Sequence, residues 1–167
     1  GAFTAFLYAF QQRELIYDIV ESASGQRFHT SYTRVGGLLY DVNSEWVDKV
    51  RSFVKGFAQT HRDVHKLLTR NRIFMERTKE VGVLSREEAI NLSCTGPVAR
   101  ASGVVRDVRK DDPYLAYGDF DFRVICAQAG DCYARYLVRM EEMQESIKII
   151  EQAVENIPAG PLNVDAE

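Results

Sequence analysis

The chain alternates between stretches in which apolar residues recur every three or four positions and stretches with no sustained period. From Phe3 to Ser24 the side chains Phe3, Phe6, Phe10, Tyr17 and Val20 fall at helical spacing, and Gly25 follows as a residue suited to the position just past a helix end. Between Gln26 and Val42 the helical period is lost. Phe28, Tyr32, Val35 and Tyr40 are interleaved there with His29, Arg34 and the pair Gly36–Gly37, which predicts an extended or turning loop. Asn43 or Ser44 then caps a long helix whose stripe runs Trp46, Val50, Phe53, Phe57, Val64, Leu68, broken only around Thr60 and His61. A short helix follows from Asn71 to Lys79, and a second begins at Ser85, where Ser85 and Glu88 fit a capping box, and runs to about Leu92.

Between Cys94 and Gly130 no period is sustained. Gly96–Pro97, Gly103, Asp112–Pro113 and Gly118 punctuate it, and Asp119 to Val124 alternates in the manner of a short strand. Asp131 is placed to cap the last helix, in which Tyr136, Met140, Met143, Ile147, Ile150, Val154 and Ile157 alternate spacings of four and three until Pro158 and Pro161 end it. The elements predict a mainly α fold: a bundle of three substantial helices with two short ones and one long structured loop. With no internal repeat or low-complexity tract, residues 1–167 read as one helical domain, in keeping with the length.

Composition narrows the function classes. Apolar residues make up 46% and charged residues 27%, a globular balance that excludes a disordered chain. A net charge of −3 and a pI near 5.7 argue against a dedicated nucleic-acid binder. The longest run without a charge, Gly1 to Gln12, is shorter than the roughly 18 residues a membrane span needs, and no basic segment precedes it as in a signal peptide. Cys94, Cys126 and Cys132 form no CxxC pair, so neither a zinc site nor a disulfide framework is indicated, and free thiols are expected. The chain opens without Met inside an amphipathic pattern, from which a piece of a longer chain is expected.

Few residues suggest chemistry directly. His61 and His65 share one helix face at a metal-capable spacing, but Arg62 and Lys66 beside them would repel a cation, so a solvated polar face is the reading. Residues 51–80 carry eight cations and three anions, net +5, whereas residues 137–157 are net −3; solvated faces account for both, or the two attract each other or a partner. The loop from Arg27 to Gly37 is less ordinary, with Arg27, His29 and Arg34 among aromatics. A titratable imidazole beside fixed charges suits a place where negative charge comes and goes, although a buried loop anchored by Arg–carboxylate pairs would read the same. The alternating charges from Arg100 through Arg106, Asp107, Arg109, Lys110, Asp111 and Asp112 fit an internal salt-bridge network better than an anion site. No self-contained catalytic set stands out.

Three blocks carry a resemblance. Gly25-Gln26-Arg27-Phe28-His29 with Tyr32, Arg34, Gly36 and Gly37; Arg100-Ala101-Ser102-Gly103 with Asp107, Arg109-Lys110 and Pro113-Tyr114; and Gly130-Asp131-Cys132-Tyr133 with Arg135, Glu142-Met143 and Ser146 to Ile150 occur in family order. Together they resemble the hydrogenase-related subunit of NADH:quinone oxidoreductase, the proton-pumping respiratory complex I, a family similar to the large subunit of nickel–iron hydrogenases. The resemblance implies a hydrogenase-large-subunit-like central helical region, with the β-rich N-terminal region that holds the quinone headgroup and a C-terminal region both outside these residues. It implies a part of the quinone-reducing module, in which electrons from NADH reach quinone through iron–sulfur clusters and drive proton translocation. The terminal cluster would be carried by a partner subunit. His29 and Arg34 would lie in that cluster's environment, with Arg27 positioning the loop, and no metal ligand or catalytic residue would be among these residues. Other expected partners are the peripheral-arm subunits and quinone at the subunit interface, on the cytoplasmic side of a bacterial inner membrane without a transmembrane segment. Alone, the chain is expected to reduce no quinone, bind no cofactor and self-associate. The alternatives are a large-subunit-like part of a membrane-bound hydrogenase or of a deazaflavin- or ferredoxin-dependent complex, and a non-redox helical interaction domain.

Overall fold

A computed structural model describes residues 3–164. Along the chain run α1 (Phe3–Ser24), a hairpin of β1 (Thr33–Arg34) and β2 (Gly37–Leu38), then α2 (Ser44–Leu68), α3 (Arg72–Thr78), α4 (Arg86–Asn91), α5 (Gly96–Ala101), α6 (Val108–Asp111), a 3-10 turn at Tyr117–Asp119, and α7 (Cys132–Glu155). The fold is mainly α, as the sequence pattern predicts, with three long helices; the short helices among the described residues number four rather than two.

The helix starts follow the residues expected to make them. Asn43 Oδ1 accepts from the Trp46 N–H at 2.9 Å, Asn71 Oδ1 from Phe74 at 3.2 Å and Asp131 Oδ1 from Ala134 at 2.7 Å. Ser85 and Glu88 form the complete capping box. Each such cap is worth about 1 kcal/mol, since it satisfies donors that the helix cannot. Gly25, at φ +74°, turns the chain out of α1 while its N–H closes on the Glu21 carbonyl at 2.7 Å.

α2 lies between α1 and α7 and buries Val50, Phe53 and Val54. The Trp46 indole N–H donates to the Ile19 carbonyl at 3.0 Å and fixes the start of α2 to the end of α1. α5 rests on α7, and Ala101, Ile125, Ala134 and Val138 form the tightest part of the core. Small residues at 101 and 134 let the backbones approach closely.

Four local expectations are corrected. Gly96–Pro97 does not interrupt the chain but opens α5: proline is tolerated in a first turn, where its missing N–H would have had no intrahelical partner. Asp119 to Val124 forms no strand. The Asp121 N–H donates to Gln152 Oε1 and Gln152 Nε2 donates back to the Asp121 carbonyl, both at 2.8 Å, while the Arg123 N–H donates to Glu145 Oε2 at 3.0 Å. Side chains of α7 thus take the backbone groups a neighbouring strand would have taken. In α7 itself the buried residues are Ala134, Val138, Met140, Glu145 and Ile149, not one stripe, because α2 and α3 cover one side and α5 with the 120–127 segment another. Met143 is exposed, and the helix ends at Glu155, before Ile157. Finally, the loop from Gln26 to Val42 contains the small hairpin.

The first half of α1 is almost bare. Ala5 is buried, but Phe3, Phe6, Leu7, Tyr8 and Phe10 are 39–71% exposed, with the Phe6 and Phe10 rings 4.3 Å apart. Such a patch favours association. Light scattering of the purified chain is expected to show dimers or larger species that Phe6→Asp/Phe10→Asp disperses; a strict monomer at high concentration would contradict this.

Candidate functional site

The loop after α1 is held at its base by one residue. Arg27 donates to Glu14 and Asp18 at 2.6 Å each and to Glu21 at 3.2 Å, three carboxylates that lie on one side of α1 at successive spacings of four and three. Its guanidinium also lies 5.6 Å from the Tyr17 ring centre. All four charged groups are substantially solvent-exposed, so the clamp orients the loop more than it stabilises the fold. Phe28 stands edge-on to Tyr17 and to the His29 ring, whose centre is 4.6 Å away.

The second half of the loop is shaped by backbone. Arg34 opposes Gly37 across the hairpin, with Val35 and Gly36 at the turn. The Tyr32 hydroxyl donates to the Tyr40 carbonyl at 2.7 Å. The segment after α7 pairs with the hairpin's outer side: the Val164 N–H donates to Gly36 O at 2.9 Å and the Leu38 N–H to Leu162 O at 3.3 Å. A Cβ at Gly37 would collide with the Leu162 carbonyl and Asn163, so that position requires glycine. Arg34 and His29 are exposed, and among the described residues neither pairs with a carboxylate. The loop therefore divides its charges: Arg27 is neutralised by α1, whereas Arg34 and His29 face outward.

The second charged cluster is the internal network its sequence suggests. Arg100, only 7% exposed, donates Nε–H to Glu142 at 2.6 Å and Nη1–H to the Arg106 carbonyl at 3.0 Å, and lies 3.8 Å from Asp107. Arg109 reaches both Asp107 oxygens, at 3.0 and 2.6 Å, and these bonds hold the buried Asp107 carboxyl below the usual range. The network floors an open cavity of about 830 Å³ whose rim carries Ile90, Val108 and Tyr114. Cys126 lies near it, and burial pushes its thiol pKa up, which makes it a poor nucleophile.

Glu142 and Glu145 belong to the acidic stretch read as a solvated face, but both are partnered. Glu145 is 2% exposed. Burial pushes its pKa up, yet Lys148 at 2.8 Å, the Arg123 N–H at 3.0 Å and the Arg123 guanidinium at 2.9 Å outweigh burial and bring it down to about 2 from an ordinary 4.5. Because the folded value is the lower one, the associated stability, roughly 3 kcal/mol, is present above pH 4.5 and lost as pH falls toward 2. Glu145→Gln is expected to flatten the loss of stability across that window, measured by urea unfolding at stepped pH. An unaltered acid profile would show that other carboxylates dominate.

Of the two α2 histidines, His65 is exposed as expected, whereas His61 is partly buried against α7. His61 Nε2–H donates to the Met140 carbonyl at 2.8 Å, and His65 Nδ1 is 2.9 Å from the Thr69 hydroxyl, itself 2.8 Å from the Tyr136 hydroxyl. These bonds tie α2 to α7. No group of three or more His, Cys, Asp or Glu among the described residues is placed to hold a metal ion. Glu142, Glu145 and Arg123 were not legible as network members, because both glutamates sit in an ordinary-looking charged helix; only Lys148, three residues after Glu145, hinted at pairing.

The whole chain has relatives. The family model for "Respiratory-chain NADH dehydrogenase, 49 Kd subunit" matches residues 1–167. The chain is 47% identical to an NADH-quinone oxidoreductase subunit of Methylacidiphilum infernorum over 165 residues, 99% of this chain and 40% of that protein. It is 48% identical to the corresponding NADH-quinone oxidoreductase subunit of Sinorhizobium medicae, covering 99% of this chain and 41% of the relative. It is 51% identical over 161 residues to a chloroplastic NAD(P)H-quinone oxidoreductase subunit of Sorghum bicolor, covering 96% of this chain and 41% of the relative. The chain thus spans about two fifths of the length of these curated relatives.

Proposed function

Because the chain belongs to the family of the 49 Kd subunit of respiratory-chain NADH dehydrogenase, we propose that it forms the central helical part of the quinone-reducing module of an NADH:quinone oxidoreductase. The observation that carries this reading is the unbroken match of residues 1–167 to one family model. In this reading the complex takes electrons from NADH through iron–sulfur clusters in other subunits to quinone, coupled to proton translocation. Quinone is reduced in the cleft between this subunit and the one that carries the terminal cluster. The subunit sits peripherally on the cytoplasmic side of a bacterial inner membrane, and no helix among the described residues is long and apolar enough to cross one.

The chain's own contribution is positional and electrostatic. A cluster held by the neighbouring subunit supplies one-electron transfer. Arg34 presents a fixed positive charge from the hairpin, and His29 presents a group that can gain or release a proton at its ring nitrogen. Arg27 supports both by fixing the loop's base to α1. The outward charges lower the free energy of added negative charge nearby without a bond to it.

Affinity purification of the full-length parent subunit from its host membranes tests the reading. The expected result is an assembly that contains an iron–sulfur subunit and oxidises NADH with quinone as acceptor. An assembly that instead evolves hydrogen or reduces a deazaflavin would overturn it.

A further inference from the structure

The solvent side of α2 carries a charge pattern that nothing in the fold uses. Lys55, Arg62 and Lys66, with Arg70 just past the helix end, recur at spacings of seven, four and four, so they share one side. All four are exposed, and the opposite side of the helix buries Val50, Phe53 and Val54. Several arginines elsewhere are matched: Arg27, Arg72, Arg100, Arg109 and Arg123 each reach a carboxylate within 3 Å. The cations of this stripe reach none within 4 Å among the described residues. Arg62 donates instead to Gln59 Oε1 at 2.6 Å, and the same amide's nitrogen donates to Asp63 Oδ1 at 2.9 Å.

We infer that this side of α2 is a docking surface for an acidic segment of a neighbouring protein. The chain as a whole is net −3, so an unpaired basic line that runs roughly 16 Å from Lys55 to Lys66 and continues to Arg70 is not a by-product of composition. Like charges at i, i+4 repel, and a partner carboxylate set between them converts that repulsion into attraction. The occupant is a protein rather than a lipid surface, because α2 directs its apolar side inward and has no apolar face left on the basic side to enter a membrane. A helix with carboxylates at intervals of four and seven matches the line position for position. The identity of the partner as another subunit of the assembly rests on the function proposed above; the surface does not.

Zero-length carbodiimide coupling of the purified parent assembly tests this, because it joins a lysine amine only to a carboxylate in contact with it. Peptide mass spectrometry is expected to find Lys55 or Lys66 joined to an Asp or Glu of another polypeptide. Lys55→Gln/Arg62→Gln/Lys66→Gln is expected to weaken that polypeptide's retention by about ten-fold at low salt, as three exposed ion pairs would. High salt should erase the difference. Both lysines recovered unlinked from an assembly that oxidises NADH would overturn the docking surface and leave the proposed function standing. A link to a polypeptide in an assembly that does not oxidise NADH would do the reverse. Sedimentation with phosphatidylglycerol–phosphatidylcholine vesicles that depends on the three cations would transfer the surface to a membrane and overturn the inference.

Discussion

An Arg100→Met variant is expected to lose roughly 3–5 kcal/mol of folding stability, the largest single-site effect in the molecule. Methionine fills much of the same space, so the loss comes from charge. Glu142, whose side chain is 17% exposed, keeps its negative charge but loses its 2.6 Å partner, and the Arg106 carbonyl loses its donor. Asp107 retains Arg109 and limits the damage. For a chain of this length each kcal/mol moves the melting temperature by about 2–4 °C, so a fall of about 6 °C or more is expected. Urea unfolding of Arg100→Met, Glu142→Gln and the double variant completes the test: the double variant should recover part of the loss, since it removes the stranded carboxylate. A single-variant loss below about 1 kcal/mol would mean that water already shields the network from the cavity side.

The second large effect rests on the proposed function, in which His29 lies in the environment of a cluster held by a neighbouring subunit. For an assumed separation of about 8 Å and an effective dielectric of about 20, an added electron on that cluster would favour the imidazolium by about 2 kcal/mol, roughly thirty-fold in its protonation equilibrium. Linkage requires the converse: a protonated His29 makes reduction easier. As pH rises and the proton leaves, the midpoint potential falls, by up to about 59 mV per pH unit for a one-electron couple. Arg34 stays charged throughout and shifts the potential without adding a slope. His29→Gln is expected to flatten the slope while the complex still assembles, because the exposed ring holds no structural hydrogen bond among the described residues. Potentiometric titration at several pH values reads the result, and an undiminished slope in the variant would assign the proton to another group.

How much of this was legible in the sequence depends on the distance over which each group finds its partner. Asn43, Asn71, Ser85 and Asp131 cap helices through bonds three residues away, and a local pattern records such bonds. Arg123 and Asp121 find theirs 22 and 31 residues away, on α7 side chains, so the alternation from 119 to 124 imitates a strand whose neighbour is a helix. Pro97 misled for a different reason: the same residue ends helices and begins them, and only the following packing of Ala99 and Ala101 on α7 decides which. In the candidate site, the grouping of Arg27, His29 and Arg34 was visible. The division of labour among them was not, because Glu14, Asp18 and Glu21 line up on α1 only once the helix and loop are both in place.

The outer edge of the β1–β2 hairpin has a consequence for the order of events during synthesis. Its hydrogen-bond partners, Leu162 and Val164, leave the ribosome after every helix of the bundle. At about 5–20 residues per second, the hairpin waits on the order of ten seconds for them. Gly36 and Gly37 are poor at holding an ordered backbone alone, so the turn beside Arg34 settles after the helices described above. A nascent chain therefore forms these helices before it fixes the outward charge of Arg34, which is set only once translation has passed α7.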